Sequence, residues 1–243
     1  MAVKINKHTS MKRIWLYTIC LGLVGLFACQ QEDLPSVGET GFLSLENMTV
    51  EVANTESIST RAVDNDLYVE IWNEAGTSQV GETYEPGKVP TKIELEPGNY
   101  TLKAYNAAFL DQSSWTENDK GAAVYSVDQK SFTIEAGKVS YLSVEVPMTN
   151  IGVRLALPEG FSDWFKTYSF NVSDGKRSVS IANGEIAYFS IGQDISYTLS
   201  ATNNDTEQKT DSKTITKDQI AAAGTIYVIT YDYATKALRL LEP

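Results

Sequence analysis

The side chains best suited to catalysis or metal binding lie at the N-terminus of the chain. The 243 residues include two cysteines and one histidine, which are Cys20, Cys29 and His8. If the chain is cut just before Cys29, the remainder has no histidine and one cysteine, at its first position. Such a chain lacks the imidazole of a Ser/His or Cys/His relay and the ligands of a His-bound zinc site. We therefore expect no metal and no cofactor.

A secretory signal peptide is predicted at residues 1–28. Four basic residues and no acidic residue accompany an apolar run at residues 14–28. The run is shorter than the roughly 20 residues that span a bilayer, and a basic start before a short apolar core is typical of a removed signal. It ends in Leu-Phe-Ala-Cys, the pattern of a lipobox, whose cysteine is acylated. We expect Cys29 to be a lipid anchor in the outer membrane and residues 29–40 to be its tether; the alternative is an ordinary signal peptide with an incidental cysteine.

The net charge argues against one class of partner. The full chain carries −11, and because its first 28 residues hold four basic and no acidic groups, the remainder carries −15. A surface this acidic repels nucleic acid and anionic lipid headgroups. We therefore expect no nucleic-acid partner and contact with the membrane only through the lipid on Cys29.

Short runs of alternating apolar and polar residues predict an all-β protein. Residues 67–73 alternate over a full strand length. Residues 92–106 and 130–146 are predicted hairpins around Pro-Gly and Ala-Gly pairs. No segment keeps a period of 3.6 residues, and residues 216–224 are the best candidate for one or two helical turns.

The second half of the sequence repeats the first. The heptapeptide YTLKAYN at Tyr100 returns as YTLSATN at Tyr197, 97 residues later. The pentapeptide VEIWN at Val69 is echoed by FNVSD at Phe170, with an offset of 101. Near-constant offsets indicate the tandem duplication of one β-sandwich.

The duplication predicts the domain organisation. We expect two tandem antiparallel β-sandwich domains of the immunoglobulin or transthyretin type, at residues 41–147 and 148–243. The first copy is longer by a polar insertion at residues 107–125. The C-terminal residues 225–243 alternate and suit either the closing hairpin of the second domain or a strand donated to another chain.

The insertion contains the candidate ligand contacts. Trp115 lies there among polar residues, where an aromatic ring can stack on a sugar while Asp111 and Asp119 accept hydrogen bonds from hydroxyls. The alternative is that Trp115 pins its own loop to the domain. Asp111 and Asp119 match no calcium-loop spacing, so no metal site is predicted there. In the second half, Trp164 is expected in the core or as a lid over the sandwich.

Several motifs, taken in order, resemble a known family. They are the acylated cysteine, GFLSL, TRA, YVEIWNEAG, IELEPGNYTLKA and MTNIGVRL…FSDWFKTYSFNV. Their order resembles a family of Bacteroidales cell-surface lipoproteins, domain of unknown function 4493, which is similar in layout to the fimbrillins, the pilins of the same bacteria. The resemblance implies cleavage by a trypsin-like protease between Arg61 and Ala62. It further implies that the strand at residues 41–60 is lost or rearranged and that a donor strand from the next subunit enters; the alternative for Arg61 is a solvated loop.

Three classes of function are therefore compared. The first is a non-enzymatic surface lipoprotein, structural or adhesive and fimbrillin-like, whose partners are other pilin-like subunits. The second is a surface glycan-binding lipoprotein that uses Trp115. The third is an enzyme with two catalytic carboxylates, which no motif in the sequence supports. We expect the first class, with the glycan-binding protein as the alternative and no enzymatic activity.

Overall fold

A computed structural model describes residues 39–51, 61–62, 66–220 and 222–241 of the protein. The predicted signal peptide and Cys29 lie outside these residues. The strands of the first half are β1 (Gly41–Glu51), β2 (Arg61–Ala62), β3 (Leu67–Asn73), β4 (Ile93–Leu95), β5 (Gly98–Asn106), β6 (Ser126–Ile134) and β7 (Val139–Pro147). Those of the second half are β8 (Ile151–Leu155), β9 (Phe165–Ser173), β10 (Ser178–Ser180), β11 (Ile186–Phe189), β12 (Ile195–Asn203), β13 (Gln208–Ile215), β14 (Ile226–Asp232) and β15 (Ala237–Leu241).

Helical structure in the described residues is limited to short segments. These are α1 (Ala107–Asp111), a 3₁₀ turn (Gln112–Ser114) and α2 (Phe161–Trp164). Across the described ranges, no helix has the length and apolar character needed to cross a membrane. At residues 216–224 the described backbone makes a single helix-like turn, in which the N–H of Ile220 donates to the carbonyl of Thr216 at 3.2 Å.

The first sandwich packs two sheets face to face. In one sheet β1 has β7 on one side and β4 and β2 on the other, and the second sheet has the order β3-β5-β6. Alternation along each strand places every second side chain on the inner face. The buried inner residues of both sheets form one cluster, comprising Leu43, Met48, Val50, Leu67, Val69, Ile71, Ile93, Leu95, Leu102, Ala104, Ile134, Val144 and Val146.

The second sandwich has its own core. Its sheets have the orders β11-β8-β14-β15 and β10-β9-β12-β13. The buried residues of its cluster are Ile151, Val153, Leu155, Phe161, Phe170, Val172, Val179, Ile181, Ala187, Phe189, Ile195, Tyr197, Leu199, Ala201, Ile215, Tyr227, Ile229 and Leu238. No residue belongs to both clusters, so each sandwich buries its apolar faces internally.

The same pairing scheme occurs in both sandwiches. β1 pairs antiparallel with β4 and parallel with β7, and β8 pairs antiparallel with β11 and parallel with β14. β5 lies between β3 and β6 as β12 lies between β9 and β13. The predicted class of an all-β protein with two tandem sandwiches is confirmed.

Among the described strands, each sandwich contains one parallel pair beside its antiparallel pairs. The first and last strands of the repeated unit run in the same direction, since the chain between them crosses through the opposite sheet before it returns. The two copies also differ at one edge. β15 pairs antiparallel with β14 and closes the second sandwich as a hairpin, whereas no described strand takes that place beside β7.

Candidate functional site

The predicted cleavage bond lies in a short strand. The backbone of Arg61 and Ala62 pairs with Val50 and Thr49 at the end of β1. The Arg61 and Ala62 side chains lie outside the described part of the structure. The residues on both sides of the bond are therefore hydrogen-bonded to β1, the strand whose loss or rearrangement the family resemblance implies.

β1 is an internal strand of its sheet and a main contributor to the first core. Its side chains Leu43, Met48 and Val50 are 0%, 4% and 8% exposed. On its two edges it pairs with β4 and with nearly the full length of β7. Removal of β1 would leave two unpaired strand edges and an apolar groove lined by Ile93 and Val144, a surface suited to the addition of another strand.

The insertion at residues 107–125 begins with a capped helix. Asn106 caps α1, because its side-chain oxygen accepts from the N–H of Phe109 at 3.3 Å. The same oxygen accepts from the N–H of Tyr125 at 3.1 Å, and the Asn106 amide donates to the carbonyl of Ala123 at 2.8 Å. One asparagine thus ties together the two ends of the insertion.

The tip of the insertion docks on the second sandwich. The N–H of Asn118 donates to the carbonyl of Ser178 at 3.0 Å, and the N–H of Ser178 donates to the Glu117 carboxylate at 2.9 Å. Lys120 forms an ion pair with Glu185 at 2.5 Å. The two sandwiches are therefore joined by the insertion as well as by the short link between β7 and β8.

Arg177 lies at the centre of this contact. Its guanidinium lies over two rings, with Cζ 5.2 Å from the ring centroid of Trp115 and 4.9 Å from that of Phe189. It donates to the carbonyl of Asp119 at 2.8 Å and to the carbonyl of Tyr188, and the residue is only 7% exposed. We call Trp115, Arg177 and Phe189 with these two carbonyls the arginine clamp.

The surroundings of Arg177 act on its charge in opposite directions. Burial lowers the pKa of the guanidinium, and the nearby carboxylates of Asp174, Asp119 and Glu117 oppose that change. An arginine remains charged even after a decrease of this kind. The clamp is therefore a buried cation held by two rings and two carbonyls.

Asp119 and Asp111 make local hydrogen bonds, Asp119 through its carboxylate and Asp111 through its main-chain carbonyl. The Asp119 carboxylate accepts from the N–H of Thr116 at 2.7 Å and from its hydroxyl at 3.1 Å, and these bonds lower its pKa. The carbonyl of Asp111 accepts from the hydroxyl of Ser114 at 2.7 Å. Trp115 presents one ring face to Arg177. These contacts favour the alternative in which Trp115 fixes the insertion; whether the three residues bind a ligand stays a prediction.

Two features were missed by the sequence analysis. Arg177 gave no signal, since one arginine in a polar turn is typical of an exposed loop. Trp164 was expected in the core or as a lid, yet it is 66% exposed, because the buried ring of α2 is that of Phe161. Tyr231 and Tyr233 lie near Trp164 along one groove, and their spacing of two residues on a predicted strand could have indicated it.

Within the described residues, no group of three or more His, Cys, Asp or Glu side chains is placed to hold a metal ion.

The fold and the clamp together define a class, that of two tandem β-sandwiches joined through a docked insertion. The sequence matches a domain of unknown function (DUF4493) over residues 39–238, and the chain belongs to that family. This match confirms the resemblance seen in the order of motifs.

Comparison with solved structures finds the following likenesses, each at low sequence identity and with a TM-score below 0.5. A fimbrilin from Porphyromonas gingivalis is 10% identical, with 84% of this chain and 96% of that chain covered and a TM-score of 0.48. A fimbrial assembly protein from Parabacteroides distasonis is 8% identical, with coverages of 83% and 99% and a TM-score of 0.45. The fimbrial anchor protein of P. gingivalis is 11% identical, with coverages of 83% and 95% and a TM-score of 0.38. The sequence matches none of the curated proteins with which it was compared.

Proposed function

We propose that the protein is a non-enzymatic lipoprotein, held in the outer membrane by acyl chains on Cys29, with its sandwiches on the cell surface. Cleavage between Arg61 and Ala62 then separates it from this anchor, and the cleaved chain assembles as a structural or adhesive, fimbrillin-like subunit. The observation that carries the proposal is the place of β1. This strand precedes the cleavage bond in the chain, pairs with the residues on both sides of that bond, and is an internal strand of the first sandwich.

Cleavage would turn the first sandwich into an acceptor. Loss of β1 removes the buried side chains Leu43, Met48 and Val50 from the first core. The edges of β4 and β7 then lack hydrogen-bond partners. Burial of the newly exposed apolar surface by an incoming strand is favourable by on the order of 25 cal/mol per Å². A strand from another subunit would restore both the ladder and the core.

The second sandwich has a different role in this proposal. Its equivalent of β1 is β8, which lies in the middle of the chain and stays attached after a cut at Arg61. Its last strand, β15, is an edge strand at the C-terminal end of the described chain. A C-terminal donor and an N-terminal acceptor give head-to-tail contacts, which extend into a filament when they do not close on themselves.

The test is to compare cleavage with polymer formation in a Bacteroidales host. Outer-membrane fractions run without heating on an SDS gel should show a ladder of multimers, and mass spectrometry should find Ala62 at the N-terminus of each rung. The variant Arg61→Ala should give a single band that begins at acylated Cys29. The matched control Ala62→Ser keeps the arginine and should form the wild-type ladder.

Two outcomes would contradict assembly through cleavage, and a third would contradict the lipid anchor. A wild-type protein that remains a single band beginning at acylated Cys29 would exclude polymerisation by cleavage. A ladder that persists in Arg61→Ala would show that assembly does not need this bond. An N-terminus at Cys29 without acyl chains would contradict the anchor alone and would leave the strand-exchange step standing.

A further inference from the structure

The second sandwich has an open groove beside α2. It encloses about 670 Å³ and is lined by four aromatic rings, those of Trp164, Phe165, Tyr231 and Tyr233. A volume of this size lies within the range of small-ligand sites. We call this cavity the aromatic groove.

Three of the rings contact one another, and Trp164 lines the same groove with its side chain open to water. Trp164 is 66% exposed and Tyr233 is 39% exposed. Tyr231 packs edge-on against Phe165 and Tyr233, at centroid distances of 5.5 and 5.6 Å. Phe161 supports the platform through a stacked contact of 4.6 Å with Phe165. Apolar ring area of this extent, left open to solvent and supported from behind, is typical of a binding surface.

The backbone that carries the exposed tryptophan is held by hydrogen bonds. The carbonyl of Trp164 accepts from the N–H of Asn204 at 3.2 Å, and the side chain of Asn204 donates to the carbonyl of Asp163 at 2.6 Å. Lys166 donates to the carbonyl of Asn204 at 2.6 Å. The backbone beneath the ring is therefore held before any ligand arrives, which lowers the entropic cost of binding.

Two cationic side chains lie at the groove in a chain whose net charge is negative. The protein carries −11, yet Lys209 and Lys236 line the groove. The one carboxylate among the lining residues, Asp211, already accepts from the N–H of Leu238 at 2.6 Å. Lys209 pairs with Glu207 at 3.3 Å, but both side chains are 63% exposed, and an ion pair of that kind exchanges readily for another anion.

We propose that the aromatic groove binds an acidic polysaccharide, one whose sugar rings carry carboxylates. The C–H face of a pyranose is apolar and stacks on an aromatic ring, while its rim bears hydroxyls that suit Asn203 and Thr210, which also line the groove. Lys209 and Lys236 pair with the carboxylates. This site is separate from Trp115, which the arginine clamp engages, and it requires no cleavage at Arg61.

The test uses the detergent-extracted full-length protein with Arg61→Ala, so that binding is measured without assembly. The probes are a galacturonic acid hexasaccharide and the neutral galactose hexasaccharide of equal length, in isothermal titration calorimetry at low salt. We expect the acidic probe to bind at least tenfold more tightly than the neutral one, with a preference that falls as salt is added. Trp164→Ala should weaken binding of the acidic probe at least tenfold.

Matched variants separate the stacking contribution from the charge contribution. Lys209→Ala combined with Lys236→Ala should bring the two affinities together, whereas Tyr141→Ala should change neither. Tyr141 is a suitable control because it is 65% exposed and lies on β7 of the first sandwich. Tyr233→Ala gives a second ring variant in case Trp164→Ala alters the fold, which thermal melting would show.

Three results would overturn the proposal. The first is no binding of either probe, and the second is equal or tighter binding of the neutral probe. The third is a protein that self-associates in sedimentation, does not bind saccharide and becomes monomeric in Trp164→Ala, because the groove would then be an interface between copies of this chain. None of these results bears on cleavage at Arg61.

Discussion

At the scale of single residues, Arg177 offers the clearest prediction. Arg177→Ala removes two hydrogen bonds from a charged donor, leaves the carbonyls of Asp119 and Tyr188 without that partner, and opens a gap beside two rings. We expect the free energy of unfolding to fall by about 2–4 kcal/mol. Urea denaturation followed by circular dichroism measures the change.

The neighbouring lysine gives the control for that measurement. Lys176 is exposed, and Lys176→Ala should change the free energy of unfolding by no more than about 0.5 kcal/mol. Arg177→Lys keeps the positive charge but not the planar fork, and it should lie between the wild type and Arg177→Ala. A loss in Arg177→Ala no larger than that in Lys176→Ala would contradict the clamp.

Gly121 gives a second prediction at this scale. Its φ is +67°, and a Cβ at this position would lie 2.8 Å from Cζ3 of Trp115. We expect Gly121→Ala to lower the free energy of unfolding by about 1–3 kcal/mol, through left-handed strain and the clash. In a Trp115→Ala background the clash is absent, so the cost of Gly121→Ala should be smaller there. A double-mutant cycle with fully additive energies would show that the two residues do not touch.

At the scale of elements, the equivalent strands β1 of the first sandwich and β8 of the second allow the two sandwiches to be compared. Leu43 on β1 and Ile151 on β8 are both 0% exposed, each in its own core cluster. Leu43→Ala should cost about 2–5 kcal/mol and lower the hydrogen-exchange protection of β4 and β7. Ile151→Ala should do the same for β11 and β14. If either variant lowers protection in both sandwiches equally, the two cores do not act as separate domains.

The same elements show what the sequence could and could not predict. Alternation and turn residues are local, so most strands and the duplication were predictable from offsets such as Tyr100 to Tyr197. The parallel pairing of β1 with β7 was not, because it depends on the path of the intervening chain through the other sheet. The docking of the insertion was also missed, since Arg177 and Trp115 are 62 residues apart in sequence and nothing local connects them. Trp164 was misplaced because Phe161, on the same turn of α2, takes the buried position.

At the scale of the whole molecule, the insertion determines how firmly the two sandwiches are joined, and that contact depends on carboxylates. Bonds from the backbone and hydroxyl of Thr116 lower the pKa of Asp119. Bonds from the N–H of Ala182 and from Lys120 lower the pKa of Glu185. A carboxyl whose pKa is lower in the folded than in the unfolded state stabilises the fold. This stabilisation is fully present at pH values above the unfolded-state pKa, which is about 4. That stabilisation disappears as the pH falls through the folded pKa.

Acid should therefore loosen the joint before either core unfolds. Between about pH 5 and pH 2 we expect the amide of Asn118 to lose its hydrogen-exchange protection, and small-angle X-ray scattering to show a broader distribution of distances. The double variant Asp119→Asn with Glu185→Gln should be loosened already at pH 7 and should respond less to acid. Asp232 also has a lowered pKa, but its partners are the N–H groups of Ala234 and Thr235 in the β14–β15 turn, so its protonation acts on that hairpin alone. If the Asn118 amide responds to acid in the double variant as it does in the wild type, the contact does not depend on protonation of Asp119 and Glu185.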